Sequence, residues 1–211
     1  MLRNAWTLAI DTLSLVELKR LGERLALTKV SKQLKIKDPK TIGLAHRLVA
    51  ETLRKKNYID FLLNSVLTPR SINDFKMGTR SFLRLYTHET KLAEENLDNT
   101  TKIARMGRTI LGWWNLKDVE EALGKILSVN PENLIKNLEE TEKVGLQTYH
   151  PKWFVKYCFN LLGRMEALKF LEKSADIPPV YVRLNTLKTP EEAILKKLEA
   201  EKTVLEKVQS L

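Results

Sequence analysis

Cysteine is almost missing: Cys158 is the only one in 211 residues. A disulfide within the chain and a thiolate metal cluster each need more than one, so both are excluded. Histidine is also scarce. His46, His88 and His150 lie in separate stretches, without the local spacing of a metal motif. There are eight glycines, no two closer than five residues, so the Gly-rich loop that cradles a phosphate or a nucleotide cofactor is lacking. No apolar run approaches the roughly 18 residues that cross a bilayer. The opening segment MLRNAWTLAIDTLS has an early Arg3 and then Asp11, with no continuous apolar stretch and no small-residue cleavage site. It does not read as a secretory signal, so we expect no membrane partner and a cytoplasmic location.

Positive charge is plentiful and unevenly spread. The net charge is +10, and residues 1–110 hold 21 Lys/Arg against 11 Asp/Glu, while residues 111–211 hold 15 of each. The whole excess therefore sits in the first half. A basic region joined to a neutral one is the electrostatic footprint of nucleic-acid binding, because Lys and Arg that neutralise phosphates release condensed counterions.

Apolar spacing makes most of the chain helical. Leu8, Leu15, Leu18, Leu21 and Leu25 recur as one face of a helix would require. Asp38-Pro39 marks a restart, with Asp as cap and Pro in the first turn. The helix it opens carries Leu44, Leu48, Val49 and Leu53 and stops near Asn57. Tyr58, Ile59, Leu62, Leu63, Val66 and Leu67 form the next apolar face, ended by Thr68-Pro69. Another helix spans Met77 to Glu89, with Phe82, Leu83, Leu85 and Tyr86 inward, and helical spacing returns from Ala93 to Ala104. Asn130-Pro131-Glu132 starts a short helix.

The pattern changes after Pro178-Pro179. Val180 to Asn185 alternates like a β-strand, and Thr189-Pro190-Glu191-Glu192 opens a helix through Leu198. A lone strand has nothing to pair with in water, so this segment reads as the start of a domain that continues.

Two stretches carry a family resemblance. One is Tyr149-His150-Pro151-Lys152-Trp153-Phe154-Val155, followed by Gly163, Glu166 and Ala167. The other is Pro178-Pro179-Val180-Tyr181-Val182-Arg183-Leu184-Asn185-Thr186-Leu187-Lys188. Together they resemble the region joining the NusB-like domain to the catalytic part in the Sun/Fmu (RsmB) family of RNA cytosine-5 methyltransferases. Arg3, Ala5 and Leu8, with Ala45, Leu48 and Val49 running on through Ile59-Asp60, resemble the opening and central helices of NusB-type domains. The family's late Asn-x-x-Leu-Arg signature is not evident around Trp113-Trp114-Asn115-Leu116-Lys117.

The resemblance implies a mainly α fold: a NusB-like helical bundle over residues 1–145, a helical connector over 146–177, and an incomplete α/β, RRM-like substrate-recognition domain over 178–211. It implies an RNA-binding and substrate-orienting role in an S-adenosylmethionine-dependent cytosine methyltransferase acting on structured rRNA or tRNA. The catalytic domain, with its cofactor loop and two cysteines, is then expected outside this chain, in the parent protein, leaving no cofactor site and no catalytic residue in these 211 residues. Cys158, inside an apolar helical pattern, reads as a small core residue. The competing reading is a stand-alone NusB-like antitermination adaptor, against which the Pro178–Leu187 segment argues.

Candidate RNA contacts follow from the basic residues. Lys29, Lys32, Lys35, Lys37 and Lys40 surround the turn between the first two helical regions, and Arg54, Lys55 and Lys56 end the next helix. Arg80 and Arg84 stand one turn apart, and Arg183 lies on the expected strand. Trp153 and Phe154 read as packing anchors. Trp113 and Trp114, being adjacent, cannot both face one core.

Overall fold

The computed structural model describes residues 1–93, 97–176, 181 and 183–200. Two units make up the chain, Met1–Ala175 and Asp176–Leu211.

The first unit is built from helices. α1 (Leu2–Lys19) buries Ala5, Trp6, Leu8, Ala9, Ile10 and Leu13. The Leu8–Leu25 spacing does not continue as one helix. Arg20 turns left-handed (φ 51°) and Gly22 starts α2 (Glu23–Gln33), so the chain folds back on itself. Leu18 and Leu25 are left exposed. Asp38 caps α3 (Pro39–Arg54) by accepting from the Thr41 backbone N–H at 3.0 Å. That restart is where the sequence places it. α4 (Lys56–Leu67) follows, then α5 (Met77–Lys91).

α5 is the hub. Every residue from Ser81 to Glu89 is buried, the mark of a helix enclosed on all sides. α1, α3 and α4 pack against it, as do α6 (Leu97–Leu111) and α8 (Glu120–Ser128). Trp6 and Phe82 meet with ring centroids 6.2 Å apart. α6 comes close because Gly107 faces Phe82, where a Cβ would stand 2.2 Å from the ring. Tyr86 donates its hydroxyl to Leu123 O at 3.0 Å, tying α5 to α8, and burial pushes its phenol up to about 12. Gly112 (φ 80°) ends α6 and leads into the short α7 (Trp113–Leu116). Asn130 caps α9 (Pro131–Ile135).

A second, smaller core lies among α10 (Glu140–Gln147), α11 (Lys152–Leu162) and α12 (Arg164–Ala175). Val144, Val155, Cys158, Ala167 and Leu171 form it, with Phe154 packed against them. Cys158 is thus a buried core residue, as its apolar setting predicts. Asn57 joins this core to the first by donating to Gly145 O (3.1 Å) and His150 O (2.9 Å). α10 ends in a Schellman turn, with His150 N–H donating to Gly145 O at 2.8 Å and Tyr149 left-handed at φ 62°. Glycine usually holds that position, and a residue with a Cβ costs roughly 1–2 kcal/mol there.

In the second unit, α13 (Glu191–Ala200) starts beyond Pro190, whose carbonyl accepts from Ala193 and Ile194 N–H. The expected strand over 180–185 falls partly outside the described residues, at Val180 and Val182. Tyr181, Arg183, Leu184 and Asn185 belong to no strand, and no strand occurs among the described residues. The fold is mainly α.

Candidate nucleic-acid interface

Between Lys19 and Lys56 the chain carries twelve Lys/Arg against three Asp/Glu. This segment, from the end of α1 through α2 and α3, accounts for most of the molecular excess. Lys29, Lys32, Lys35, Lys37 and Lys40 are all exposed and make no ion pair with a described residue. Lys35 sits left-handed (φ 55°) at the end of α2, in a Schellman turn closed by Ile36 N–H on Ser31 O at 2.9 Å. The turn projects lysines outward without a carboxylate in ion-pair contact. Arg20, Arg24 and Arg47, which were not among the expected contacts, are exposed on the same elements. Arg47 was legible, since it follows Lys40 by two helical turns on one face.

The next basic group has other work. Arg54 and Lys55 share Glu51 at 3.9 and 3.3 Å, and Arg54 also donates to Ala175 O at 2.6 Å. The Lys55 ammonium lies 5.7 Å from the centre of the Tyr149 ring. Both are half-buried, as is Lys56. They hold the two cores of the first unit together while bordering the basic surface.

Arg80 and Arg84 do stand one turn apart, but their face points inward. Arg84 is 4% exposed. It grips Asp60 with two bonds, Nε to Oδ1 at 2.6 Å and Nη2 to Oδ2 at 3.0 Å, and bonds Glu17 as well. Arg80 donates to Glu17 at 2.5 Å and to Asn73 O and Phe75 O. Burial raises the Glu17 carboxyl, but hydrogen bonds and charge from Arg84 and Arg80 outweigh it and hold it below the usual carboxylate range. These guanidinium groups neutralise carboxylates between α1, α4 and α5. They are therefore removed from the candidate interface. Arg183 is exposed in the second unit, on irregular backbone.

Aromatic side chains are unusually open. Trp113 and Trp114 are both exposed, at 53% and 77%, and the Lys117 ammonium lies 4.7 Å over the Trp114 ring. Phe154 is the anchor the sequence predicts, stacked on His150 with centroids 5.4 Å apart. Trp153 is not, being 69% exposed. With Tyr157 and Leu161 it forms an open apolar stripe at four-residue spacing along α11, and Met165 and Phe170 of α12 are exposed too. An apolar stripe left open to water marks a contact surface. Among the described residues no cluster of His, Cys, Asp or Glu could hold a metal, and no helix is long and apolar enough to cross a membrane.

Fold and surface define a mainly α-helical unit with its basic excess concentrated on α2 and α3, and a shorter second unit. Residues 150–211 match the family described as RsmF/B-like methyltransferase, ferredoxin-like domain. The match opens on the His150-Pro151-Lys152-Trp153 motif, ahead of the boundary between the units. The fold is similar to that in the crystal structure of PH0851, with a TM-score of 0.69 and 16% identity over 99% of this chain and 46% of that one. At that identity the likeness is one of fold, and this chain spans less than half the length of that protein. No curated protein matches. The resemblance to the Sun/Fmu (RsmB) methyltransferases is borne out by the family match over residues 150–211; over the rest of the chain the likeness to PH0851 is one of fold.

Proposed function

We propose that this chain captures and orients structured RNA, ribosomal or transfer, for cytosine-C5 methylation by a catalytic domain outside these 211 residues. One observation carries the reading: the exposed lysines of α2 and of the turn into α3, unpaired by any described carboxylate, on a chain whose other half is neutral. A surface of that kind favours phosphates through counterion release and positions RNA without reading its sequence. S-adenosylmethionine finds no Gly-rich turn in this sequence, so the methyl donor belongs to the catalytic domain. The apolar stripe of Trp153, Tyr157 and Leu161 is a fitting seat for that domain, since exposed apolar surface gains by being covered. An adaptor without a catalytic partner would leave the match over residues 150–211 without a purpose.

The test is a salt titration of RNA binding. Affinity for a structured RNA is expected to fall linearly with log salt, with a slope of several units. Affinity indifferent to salt, or no binding at all, would contradict the reading.

A further inference from the structure

An open pocket of about 660 Å³ lies between α4, α9 and α10. Tyr58 and Tyr149 form one wall, their rings nearly perpendicular with centroids 5.9 Å apart. Asn133 and Gln147, both with side-chain amides, are among the lining residues. Lys136 and Lys143 bring cations, against the single carboxylate of Glu132. The backbone goes to some length to place Tyr149 at this wall. The turn that ends α10 would form without strain with glycine at 149, so the turn itself does not ask for a ring. Yet the left-handed tyrosine is fixed from several sides. Asn57 holds the carbonyls of Gly145 and His150. Gly145 leaves no room for a Cβ, which would lie 2.7 Å from His150 O. Arg20 and Lys35 end helices in the same left-handed way; what sets Tyr149 apart is that its ring forms a wall of an open pocket.

The chemistry of the lining selects the occupant. Aromatic rings offer a flat apolar surface on which a base can stack. Amide side chains present a donor and an acceptor together, which matches the edge of a base. The lysines suit a phosphate. We propose that this pocket receives one unstacked nucleotide of the bound RNA, its base against the Tyr58–Tyr149 wall and its phosphate toward Lys136 and Lys143. The inference rests on the RNA-binding reading and deepens it, adding a point that grips a loop or bulge to a surface that only attracts phosphates. Burial pushes both phenols upward, so the rings stay neutral and available for stacking at physiological pH.

The experiment uses the whole chain and a hairpin RNA whose loop carries iodouridine, cross-linked by light and mapped by mass spectrometry. It runs alongside binding titrations of Tyr149→Gly and Tyr149→Phe. The expected result is an adduct on Tyr58 or Tyr149. Y149G relaxes the turn but gives up the contacts with Tyr58 and Lys55; it should still fold, with a melting temperature near that of wild type, yet bind the loop about tenfold more weakly with the salt slope unchanged. Y149F should stay within about twofold of wild type. The exposed double substitution Lys136→Ala with Lys143→Ala decides the matter if Y149G fails to fold, and should lower both affinity and adduct yield. Wild-type affinity in Y149G, with adducts elsewhere, would overturn the pocket while leaving the basic face intact. Wild-type protein that binds no RNA would overturn both, and binding of a peptide in place of RNA would reassign the pocket.

Discussion

Arg84 is 4% exposed, and Asp60 and Glu17 make its burial tolerable. Taking away one partner leaves a guanidinium with donors facing no acceptor. Asp60→Ala is expected to lower stability by about 2–3 kcal/mol, somewhat below a fully buried pair because Asp60 keeps some solvent. Chemical denaturation read by circular dichroism checks this. The same network has a pH signature. The Glu17 carboxyl is lowered in the folded protein from its ordinary 4.5, so its contribution is complete above that value and is lost as pH falls through the folded one. Asp38, Glu120 and Glu139 are lowered too, so an acid titration of the melting temperature should show a loss below pH 4.5 that Glu17→Gln makes smaller without abolishing. A loss of unchanged size in the variant would show that Glu17 contributes nothing to it. The sequence showed that Arg80 and Arg84 share a face but not which way the face turns. Their partner Glu17 lies in α1, 67 residues before Arg84, and Asp60 lies in α4, 24 residues before it, so spacing alone carries no signal of the pairing.

Helices were legible wherever local chemistry decides them. Asp38-Pro39 and Asn130-Pro131 mark starts because a cap and a fixed φ act within one turn. The buried set Phe82, Leu83, Leu85 and Tyr86 also stood in the apolar pattern. The break at Arg20 did not, since apolar residues continue through it, although Gly22 starts the next helix two residues on. The stretch around Gly107 was opaque for a related reason. A glycine inside a helix weakens it locally, and its purpose appears only when Phe82 of α5 is found against it. Gly107→Ala is accordingly expected to destabilise the bundle by about 1–3 kcal/mol, although alanine is the better helix former. A variant as stable as wild type in thermal melts would mean that α6 can slide away from α5.

Across the whole molecule, charge and apolar surface are divided. The basic residues gather on α2 and α3, while exposed apolar side chains line α11 and α12, apart from Trp113 and Trp114 of α7. The charge asymmetry was visible in the sequence because it is a sum over positions. The open stripe of Trp153, Tyr157 and Leu161 was not, because apolar residues at helical spacing read the same whether a helix face is covered or bare. The division suits a protein that holds RNA on one surface and a partner domain on another.

The most direct measurement is the salt dependence of RNA affinity for wild type beside a variant with Lys32, Lys35, Lys37 and Lys40 all changed to alanine. These four are exposed, so the fold should survive, as a melting curve would verify. The account predicts a loss of at least about tenfold in affinity and a log–log slope shallower by roughly 2–3, each lysine contributing up to about one unit. A variant that binds RNA with wild-type affinity and slope would contradict it, and the RNA would have to be held by some other face of the protein.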